Sequence, residues 1–346
     1  MSTASSLFDR DRSAERLPVS LVTGFLGSGK TTLLNRLLQR PEMADSAVII
    51  NEFGEVPLDH LLIEPIAGDA VVLSSGCVCC AVRGDLQDAL RRLLVQRDRG
   101  EVPVFARVLI ETSGLADPAP VVQLFLNNPL LGHDLRLDTV VATVDGAGGF
   151  GQIEQYPEAL KQAAIADRLL VTKTDLAAPR GVEALIQRLR RINPGAAIET
   201  VVRGEIDPAK LFGAGLFDPG QDRPDPERWL KSGRYPGAAA VDHDHDHLAG
   251  ISAFSFVAER PLDWLAFHRW LGDLRAAYGD RLLRVKGVLN LAEEEGPVVV
   301  HGVQHVFHPP VALRRWPDGE RTSRLVMIVR DLDRETIEKG WRSLSA

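Results

Sequence analysis

The sequence of 346 residues is poor in cysteine, in long apolar runs and in positive charge. Its 3 cysteines, Cys77, Cys79 and Cys80, lie side by side, whereas a disulfide framework spreads its cysteines along the chain. No apolar run approaches the roughly 18 residues of a membrane span, and residues 1–17 lack a signal-peptide pattern. The net charge of −7 argues against nucleic acid or an anionic membrane as the main partner. A cytoplasmic globular protein is therefore expected.

Apolar runs alternate with longer amphipathic segments from residue 17 to about residue 206. Strands are predicted at 19–23, 47–51, 70–73, 107–111, 139–144 and 168–172. Helices are predicted at 30–39, 85–97, 119–126, 157–164 and 181–192. Apolar strands that alternate with helices indicate the α/β class, with a mostly parallel sheet covered by helices.

The rest of the chain divides by composition. Residues 1–16 are expected to be a disordered leader and residues 17–211 the α/β domain. Residues 212–250 are rich in Gly, Pro and Asp and are expected to be a flexible linker. Residues 251–346 predict a smaller α+β domain, with strands at 251–257, 282–291, 297–303 and 323–330 and helices at 262–278 and 335–343.

The segment at 24–31, Gly-Phe-Leu-Gly-Ser-Gly-Lys-Thr, matches the phosphate-binding pattern G-x-x-x-x-G-K-[ST] between a predicted strand and a predicted helix. In such a loop backbone N–H groups surround the β-phosphate, Lys30 reaches the β- and γ-oxygens, and the Thr31 hydroxyl binds Mg²⁺. The alternative is a structural glycine-rich turn. The candidate nucleotide-binding residues here are Gly24, Gly27, Ser28, Gly29, Lys30, Thr31 and Thr32.

The segment Thr172-Lys173-Thr174-Asp175 resembles the base-reading motif N-K-x-D of GTPases. The Asp175 carboxylate would accept hydrogen bonds from guanine N1–H and N2–H₂, and the Lys173 stem would lie along the ring. Thr172 stands where Asn is usual and offers one donor rather than two. The alternative is a polar turn after a strand.

Glu111 ends the predicted strand at 107–111 and is followed by Thr112-Ser113-Gly114. A carboxylate at this place beside a phosphate loop supports Mg²⁺ or its water, and the Gly114 N–H would face the γ-phosphate. The alternative is a solvated strand-end carboxylate. We find no evident glutamine to orient the attacking water, so slow intrinsic hydrolysis is expected. The candidate catalytic residues are Lys30, Thr31 and Glu111.

The cysteine cluster follows the predicted strand at 70–73 and precedes a predicted helix. It therefore lies at the carboxyl edge of the sheet, as the phosphate loop does. A helix N-terminus favours the thiolate, and thiolates this close together suit Zn²⁺ or another soft or borderline divalent ion. One motif cannot close a four-ligand site, so other groups must complete the coordination. Inert buried thiols and a redox switch are the alternatives.

Oxygen and nitrogen ligands are available in two further segments. Glu52 and Glu55 follow the second predicted strand, where GTPases keep their first switch loop, and either could bind the thiolate metal or Mg²⁺. A solvated loop carboxylate explains them equally well. The alternating Asp/His run at 242–247 offers imidazoles for metal capture, and a merely solvated linker is its alternative. The candidate metal ligands are Cys77, Cys79, Cys80, Thr31 and Glu55.

These segments together resemble the CobW-type GTPases, relatives of the nickel-inserting GTPases of urease and hydrogenase maturation. The resemblance runs from residue 17 to about residue 342. It is carried by GFLGSGKTT at 24–32, NEFGE at 51–55, GCVCC at 76–80, ETSGLADP at 111–118, TKTD at 172–175 and LRVKG at 283–287. The resemblance implies a GTP-driven metallochaperone whose three thiolates bind zinc or cobalt, and it implies that residues 251–346 are the family's C-terminal domain. Thr172 departs from the common Asn.

The function predicted from these features is a coupled switch. GTP with Mg²⁺ would set the thiolate geometry, and hydrolysis to GDP would weaken the hold on Zn²⁺ or Co²⁺ and pass the metal to a client metalloenzyme. One rival is a metal sensor or store that uses nucleotide only for stability. Another is an ATP-dependent kinase. The metal, the client and the oligomeric state stay open, with a nucleotide-dependent homodimer as one alternative.

Overall fold

The computed structural model describes residues 16–51, 71–75, 82–213, 250–313, 316 and 321–345. These residues fall into two compact units, one within 15–190 and 196–215 and the other within 191–195 and 216–346. Each unit contains a sheet of its own. Among the described residues no helix is long and apolar enough to cross a membrane.

The first unit is built on a seven-stranded sheet whose pairings are all parallel. Its strands are β1 (Leu17–Gly24), β2 (Ser46–Asn51), β3 (Val71–Ser75), β4 (Arg107–Thr112), β5 (Leu135–Asp145), β6 (Arg168–Thr172) and β7 (Ala197–Val201). They lie in the order β3-β2-β4-β1-β5-β6-β7. All five residues of β6 are buried, as expected for a central strand covered on both faces.

Helices follow most of these strands. They are α1 (Lys30–Leu38), α2 (Val82–Asp98), α3 (Ala119–Asn127), α4 (Leu131–Asp134), α5 (Gly149–Gln155), α6 (Pro157–Ile165) and α7 (Pro179–Ile192). In α1 the buried leucines at 33, 34, 37 and 38 recur at helical spacing and pack on one face of the sheet, against Val22, Leu109 and Val141. This packing holds α1 against the sheet, next to the strand β1 that precedes it.

The strand order creates a crevice beside the end of β1. The chain leaves β1 through α1 toward β2 on one side, and it leaves β5 through α5 and α6 toward β6 on the other side. In open α/β sheets ligands bind at such a switch point, outside the carboxyl ends of the strands. Gly24, Thr112, Asp145 and Thr172 each end a strand at this edge.

The second unit has a six-stranded antiparallel sheet and two long helices. Its elements are β8 (Ile251–Ala258), α8 (Trp264–Tyr278), β9 (Arg284–Leu289), β10 (Val298–Val303), β11 (Val306–Phe307), β12 (Val311–Ala312), β13 (Ser323–Arg330) and α9 (Arg334–Ser345). The strand order is β11-β10-β9-β13-β8, and β12 pairs with β10. Phe267 of α8 and Trp341 of α9 are buried against one face of this sheet, in a core with Val285 and Met327.

The predicted fold class is confirmed: a parallel sheet with helices is followed by a smaller α+β sheet unit. Five elements were not predicted from the pattern, among them helix α4, whose 4 residues are too few to show a period. Strand β7 is an edge strand with one buried residue, and α5 contains two glycines, which weaken a helical pattern. Strands β11 and β12 have 2 residues each, too few to show a period.

Candidate functional site

The loop after β1 needs glycine for two separate reasons. Gly29 has φ 92°, in the left-handed region that favours glycine. At Gly24, which has φ 140°, a Cβ atom would lie 2.3 Å from Thr143 Oγ1 and 2.4 Å from the Thr143 carbonyl oxygen. The loop therefore rests directly on the end of β5, and no side chain fits between them.

Lys30 begins α1 and is only 8% exposed. Its Nζ donates to the carbonyl oxygen of Gly24 at 3.0 Å and to that of Phe25 at 3.4 Å. The ammonium group is therefore held inside the turn of the loop, at the start of a helix. Both the charge and the helix N-terminus favour a bound phosphate at this place.

Thr31 and Glu111 bring a hydroxyl and a carboxylate together. Thr31 Oγ1 donates to Glu111 Oε1 at 3.0 Å, and Glu111 is 2% exposed at the end of β4. Mg²⁺ prefers hard oxygen ligands such as these, together with phosphate oxygens. The donor set of this part of the cleft thus fits Mg²⁺, with Thr31 as a ligand and Glu111 beside it.

Thr172 ties the end of β6 to the phosphate loop. Its Oγ1 lies 2.8 Å from the carbonyl oxygen of Ser28 and 3.3 Å from that of Val144, so one hydroxyl proton serves both acceptors. Thr172 is buried. The Thr172 side chain therefore joins the end of β6 to the loop after β1.

Lys173 is held by a residue that sequence reasoning missed. It has a left-handed backbone, φ 52°, and its Nζ lies 2.7 Å from Asp145 Oδ2. The other oxygen, Asp145 Oδ1, accepts from the backbone N–H groups of Ala147 at 2.8 Å and Gly148 at 3.2 Å. An aspartate at the end of an apolar strand was the available signal, and it is the same signal that singled out Glu111.

The hydrogen bonds around Asp145 change its acidity. Burial alone raises the pKa of Asp145, but the hydrogen bond from Lys173 and those from Ala147 and Gly148 together outweigh it. The pKa of Asp145 is therefore lowered from 3.8. Asp145 stays ionised at neutral pH, so the charge that orients Lys173 is always present there.

Gly114 lies in a turn that touches the phosphate loop. A Cβ atom on Gly114 would lie 2.7 Å from the Cα and N atoms of Leu26. The turn after β4 and the loop after β1 are therefore in backbone contact, which only glycine permits here.

Most of the predicted nucleotide residues line one cleft of about 370 Å³. Its lining consists of Leu26, Gly27, Gly29, Lys30, Thr31, Thr32, Ile50, Glu111, Thr112, Ser113, Gly114 and Lys173. Gly24, Ser28 and Thr172 are not in the lining but contact one another behind it, through Thr143 and the Ser28 carbonyl. Asp175 is exposed, two residues beyond Lys173.

The predicted metal ligands are only partly within the described residues. Cys77, Cys79, Cys80 and Glu55 lie outside them, as do Glu52 and the Asp/His run at 242–247. Within the described part of the chain no three His, Cys, Asp or Glu side chains are grouped so that they could hold a metal ion. Cys77 follows the last residue of β3, Ser75, by two positions.

Comparison with known families covers most of the chain. Residues 18–200 match "CobW/HypB/UreG, nucleotide-binding domain", and residues 251–345 match "Cobalamin synthesis protein cobW C-terminal domain". The chain is 36% identical over 328 residues to the zinc chaperone YjiA of Escherichia coli, with 95% of this chain and 98% of that protein covered. It is 29% identical over 367 residues to the zinc chaperone CobW of Pseudomonas aeruginosa, with 96% and 92% covered.

A solved structure shows the same likeness. The crystal structure of the Zn(II)-bound YjiA GTPase from E. coli is similar to this chain with a TM-score of 0.74 and 32% identity. The match covers 96% of this chain and 99% of that chain.

Lys30→Ala is expected to lower nucleoside triphosphate hydrolysis by about 10²-fold or more, because it removes a preorganised positive charge from the cleft. The measurement is phosphate release at saturating nucleotide, with circular dichroism to verify the fold. Lys210→Ala is the matched control, since this lysine is 58% exposed beside Glu199. Equal activity in the Lys30 variant and the wild type would refute the assignment.

Asp145→Asn is expected to lower stability in a pH-dependent way. Because the pKa of Asp145 is depressed in the folded state, the carboxylate stabilises the fold above its unfolded pKa and this contribution is lost as pH falls through the folded pKa. The difference in unfolding free energy between wild type and variant should be largest near neutral pH and should shrink below pH 3.8. Urea unfolding across this range measures it.

Asp98→Asn is the control for that series, because Asp98 is 75% exposed. It should behave as the wild type at every pH. A difference for Asp145→Asn that does not vary with pH would contradict the role of the ionised carboxylate.

Proposed function

This chain belongs to the CobW/HypB/UreG family, and we propose that it is a GTPase whose cycle drives the binding of zinc and its delivery to a client metalloprotein. GTPase activity and zinc handling follow from relatives that are named zinc chaperone YjiA, zinc chaperone CobW and zinc-regulated GTPase metalloprotein activator. The observation that carries the proposal is the convergence of Lys30, Thr31, Glu111 and Gly114 in one cleft.

The phosphate part of the reaction uses groups that are already in position. Lys30 supplies positive charge for the β- and γ-oxygens, and the N–H groups of the loop and of Gly114 supply donors around them. Phosphoryl transfer needs mainly positioning and charge stabilisation, and preorganised donors supply both without rearrangement. The contacts of Lys30 with the Gly24 and Phe25 carbonyls support this role, because they hold its ammonium at the phosphate end of the cleft.

Mg²⁺ is the proposed cofactor of this step. When bound it would neutralise part of the phosphate charge. Thr31 would be its protein ligand, and Glu111 would orient Thr31 or a metal-bound water through its carboxylate. The hydrogen bond of 3.0 Å between Thr31 Oγ1 and Glu111 Oε1 supports this pairing, since it keeps both oxygens at one point of the cleft.

Guanine is the proposed base. Asp175 would accept from N1–H and N2–H₂ of guanine, a pair of donors that adenine lacks. Lys173 would lie along the ring while Asp145 holds its ammonium. Thr172 would keep this segment in register with the phosphates through its contact with the Ser28 carbonyl. Base and phosphate recognition would then share one rigid frame.

Zinc is the proposed cargo, bound by the thiolates of Cys77, Cys79 and Cys80, with Co²⁺ as the alternative ion. The strand register supports an additional ligand from Glu55. Asn51 at the end of β2 pairs with Ser75 at the end of β3, so the segments that contain Glu55 and Cys77 follow neighbouring strand ends. Clustered thiols need a reducing compartment, which favours the cytoplasm.

Nucleotide and metal would be linked through the segment that follows Asn51. Ile50 lines the nucleotide cleft, so the chain passes from the cleft wall to the proposed metal ligands within a few residues. Allosteric couplings of about 1–3 kcal/mol change affinity about 5–150-fold. Client ligands must therefore contribute to a complete transfer, and the client would be a metalloprotein that offers them.

Purified protein is expected to hydrolyse GTP slowly and to prefer it to ATP by roughly 10²-fold or more. Adenine lacks the N1–H and N2–H₂ donors, so it would leave the Asp175 carboxylate without hydrogen bonds from the base. Asp175→Ala should reduce this preference about tenfold or more. The measurement is kcat/KM for both nucleotides, with Asp98→Ala as the control. An unchanged preference in Asp175→Ala would remove Asp175 from the base site.

Zinc affinity is expected to differ at least several-fold between the GDP-bound protein and the protein bound to a non-hydrolysable GTP analogue. By linkage, zinc must change the affinity for the analogue relative to GDP by the same factor. Competition titrations with Zn²⁺ and Co²⁺ measure this, and the Co²⁺ complex should absorb by thiolate charge transfer. Binding should release protons and weaken as pH falls, since the ligand thiols must deprotonate.

A triple Cys→Ser variant at positions 77, 79 and 80 is the control and should lose the high-affinity site. Equal affinity in the apo, GDP and analogue states would replace the switch with a metal sensor or store. Undiminished binding by the triple variant would place the metal elsewhere, and the Asp/His run at 242–247 would be tested next.

A further inference from the structure

Helix α6 holds the turn after β4 through a buried amide. Gln162 is 1% exposed, and its Nε2 lies 3.2 Å from the carbonyl oxygen of Gly114 and 3.0 Å from that of Ala116. Both neighbours are carbonyl oxygens, which only accept hydrogen bonds. The NH₂ group of the amide must therefore face the turn, because the amide oxygen cannot donate. The Gly114–Ala116 segment is therefore hydrogen-bonded to α6 at two points.

The preceding residue of α6 forms a second attachment. Lys161 Nζ lies 2.8 Å from Asp117 Oδ2, with the two side chains 23% and 28% exposed. The other oxygen, Asp117 Oδ1, accepts from the N–H of Ala119 at 2.9 Å, at the start of α3. The ion pair thus fixes the far end of the turn to α6, while Asp117 also accepts a hydrogen bond from the first residue of α3.

The phosphate loop touches the same helix and the same turn. The Phe25 ring stacks on the Tyr156 ring at the start of α6, with centroids 4.6 Å apart. On its other side the turn is closed by Leu26, whose backbone leaves no space for a Cβ on Gly114. The turn is therefore confined between the phosphate loop and α6.

If the Gln162 amide served only to stabilise the fold, its burial would be unfavourable in free energy. Its Oε1 atom is buried and accepts no hydrogen bond among the described residues. A buried acceptor without a partner destabilises a fold, and an apolar side chain of similar size would avoid that penalty. What an apolar residue could not do is hold the Gly114 and Ala116 carbonyls.

We propose that Gln162 and Lys161 are positioning residues that set the Gly114 turn for the γ-phosphate and so determine how well the protein distinguishes GTP from GDP. The inference rests on the proposed function, because it takes the cleft lined by Lys30, Thr31 and Gly114 to be the triphosphate site. Movement of the Gly114–Ala116 turn relative to the γ-phosphate would break both Gln162 hydrogen bonds. GDP has no group at that place, so its binding should not depend on Gln162.

The test compares the dissociation constants of GDP and of a non-hydrolysable GTP analogue, both with Mg²⁺, in the full-length protein. Gln162→Glu is nearly isosteric but directs a carboxylate at two carbonyls. It should weaken analogue binding about tenfold, the effect of roughly one lost hydrogen bond to a preorganised group, and leave GDP binding within about twofold. The ratio of the GDP dissociation constant to the analogue dissociation constant should therefore fall in Gln162→Glu. Lys161→Met should lower this ratio by a smaller factor. The kcat for GTP should fall in both variants.

Gln155→Glu is the matched control, since it makes the same change at an exposed residue just before α6 and should leave both constants unchanged. An unchanged ratio in Gln162→Glu would overturn the inference while the proposed GTPase function stands. Equal binding of GDP and analogue by the wild type would remove the premise, because then no γ-phosphate contact exists to be positioned. If Gln162→Glu fails to fold, Lys161→Met decides: a lowered ratio supports the inference and an unchanged one overturns it.

Discussion

The cleft depends on the close approach of three backbone segments to the loop after β1. Gly24 has no space beside Thr143 of β5, and Gly114 has none beside Leu26. Thr172 of β6 donates to the Ser28 carbonyl from a third side. Such contacts leave little freedom for any one strand end to move without the others. The functional groups that the strand ends carry are therefore fixed relative to one another by the packing of the loop.

This packing explains how the cleft keeps its positive charges in place. The Lys30 ammonium is held by two carbonyl oxygens of the loop, and the Lys173 ammonium by the ionised carboxylate of Asp145. Neither lysine depends on a flexible surface contact for its position. A charge that is oriented before the ligand arrives needs no reorganisation when the ligand binds, which is the basis of electrostatic catalysis. The hydrogen bonds of the fold thus fix the positions of both ammonium groups in the cleft.

The sequence was sufficient for the fold class and for most of the cleft lining, because these depend on local patterns. An apolar strand followed by a glycine-rich loop and a helix occupies about twenty consecutive residues, so it can be recognised from the local sequence. Asp145, Lys161 and Gln162 were missed since their importance arises only when distant strands pair. Gln162 lies 48 positions from Gly114, and within its own helix it is one of several polar residues. No local period could mark it as a partner of the turn.

The strand order also limits how metal and nucleotide can influence each other. Strand β3, which leads to the cysteines, is separated from β1 by β2 and β4. At about 4.8 Å for each step between strands, the ends of β3 and β1 are roughly 14 Å apart. Direct contact between thiolates that follow β3 and phosphates held after β1 would need a long excursion of one chain segment. Strand β2 lies between them and contributes Ile50 to the cleft wall, and its last residue pairs with the last residue of β3. Strand β2 is therefore the described element that lies next to β3 and also contributes to the cleft wall. Under the proposed function, a GTP-dependent change in metal affinity would need two states of the protein that differ in their affinity for both ligands, because a ligand shifts an equilibrium only by its differential affinity.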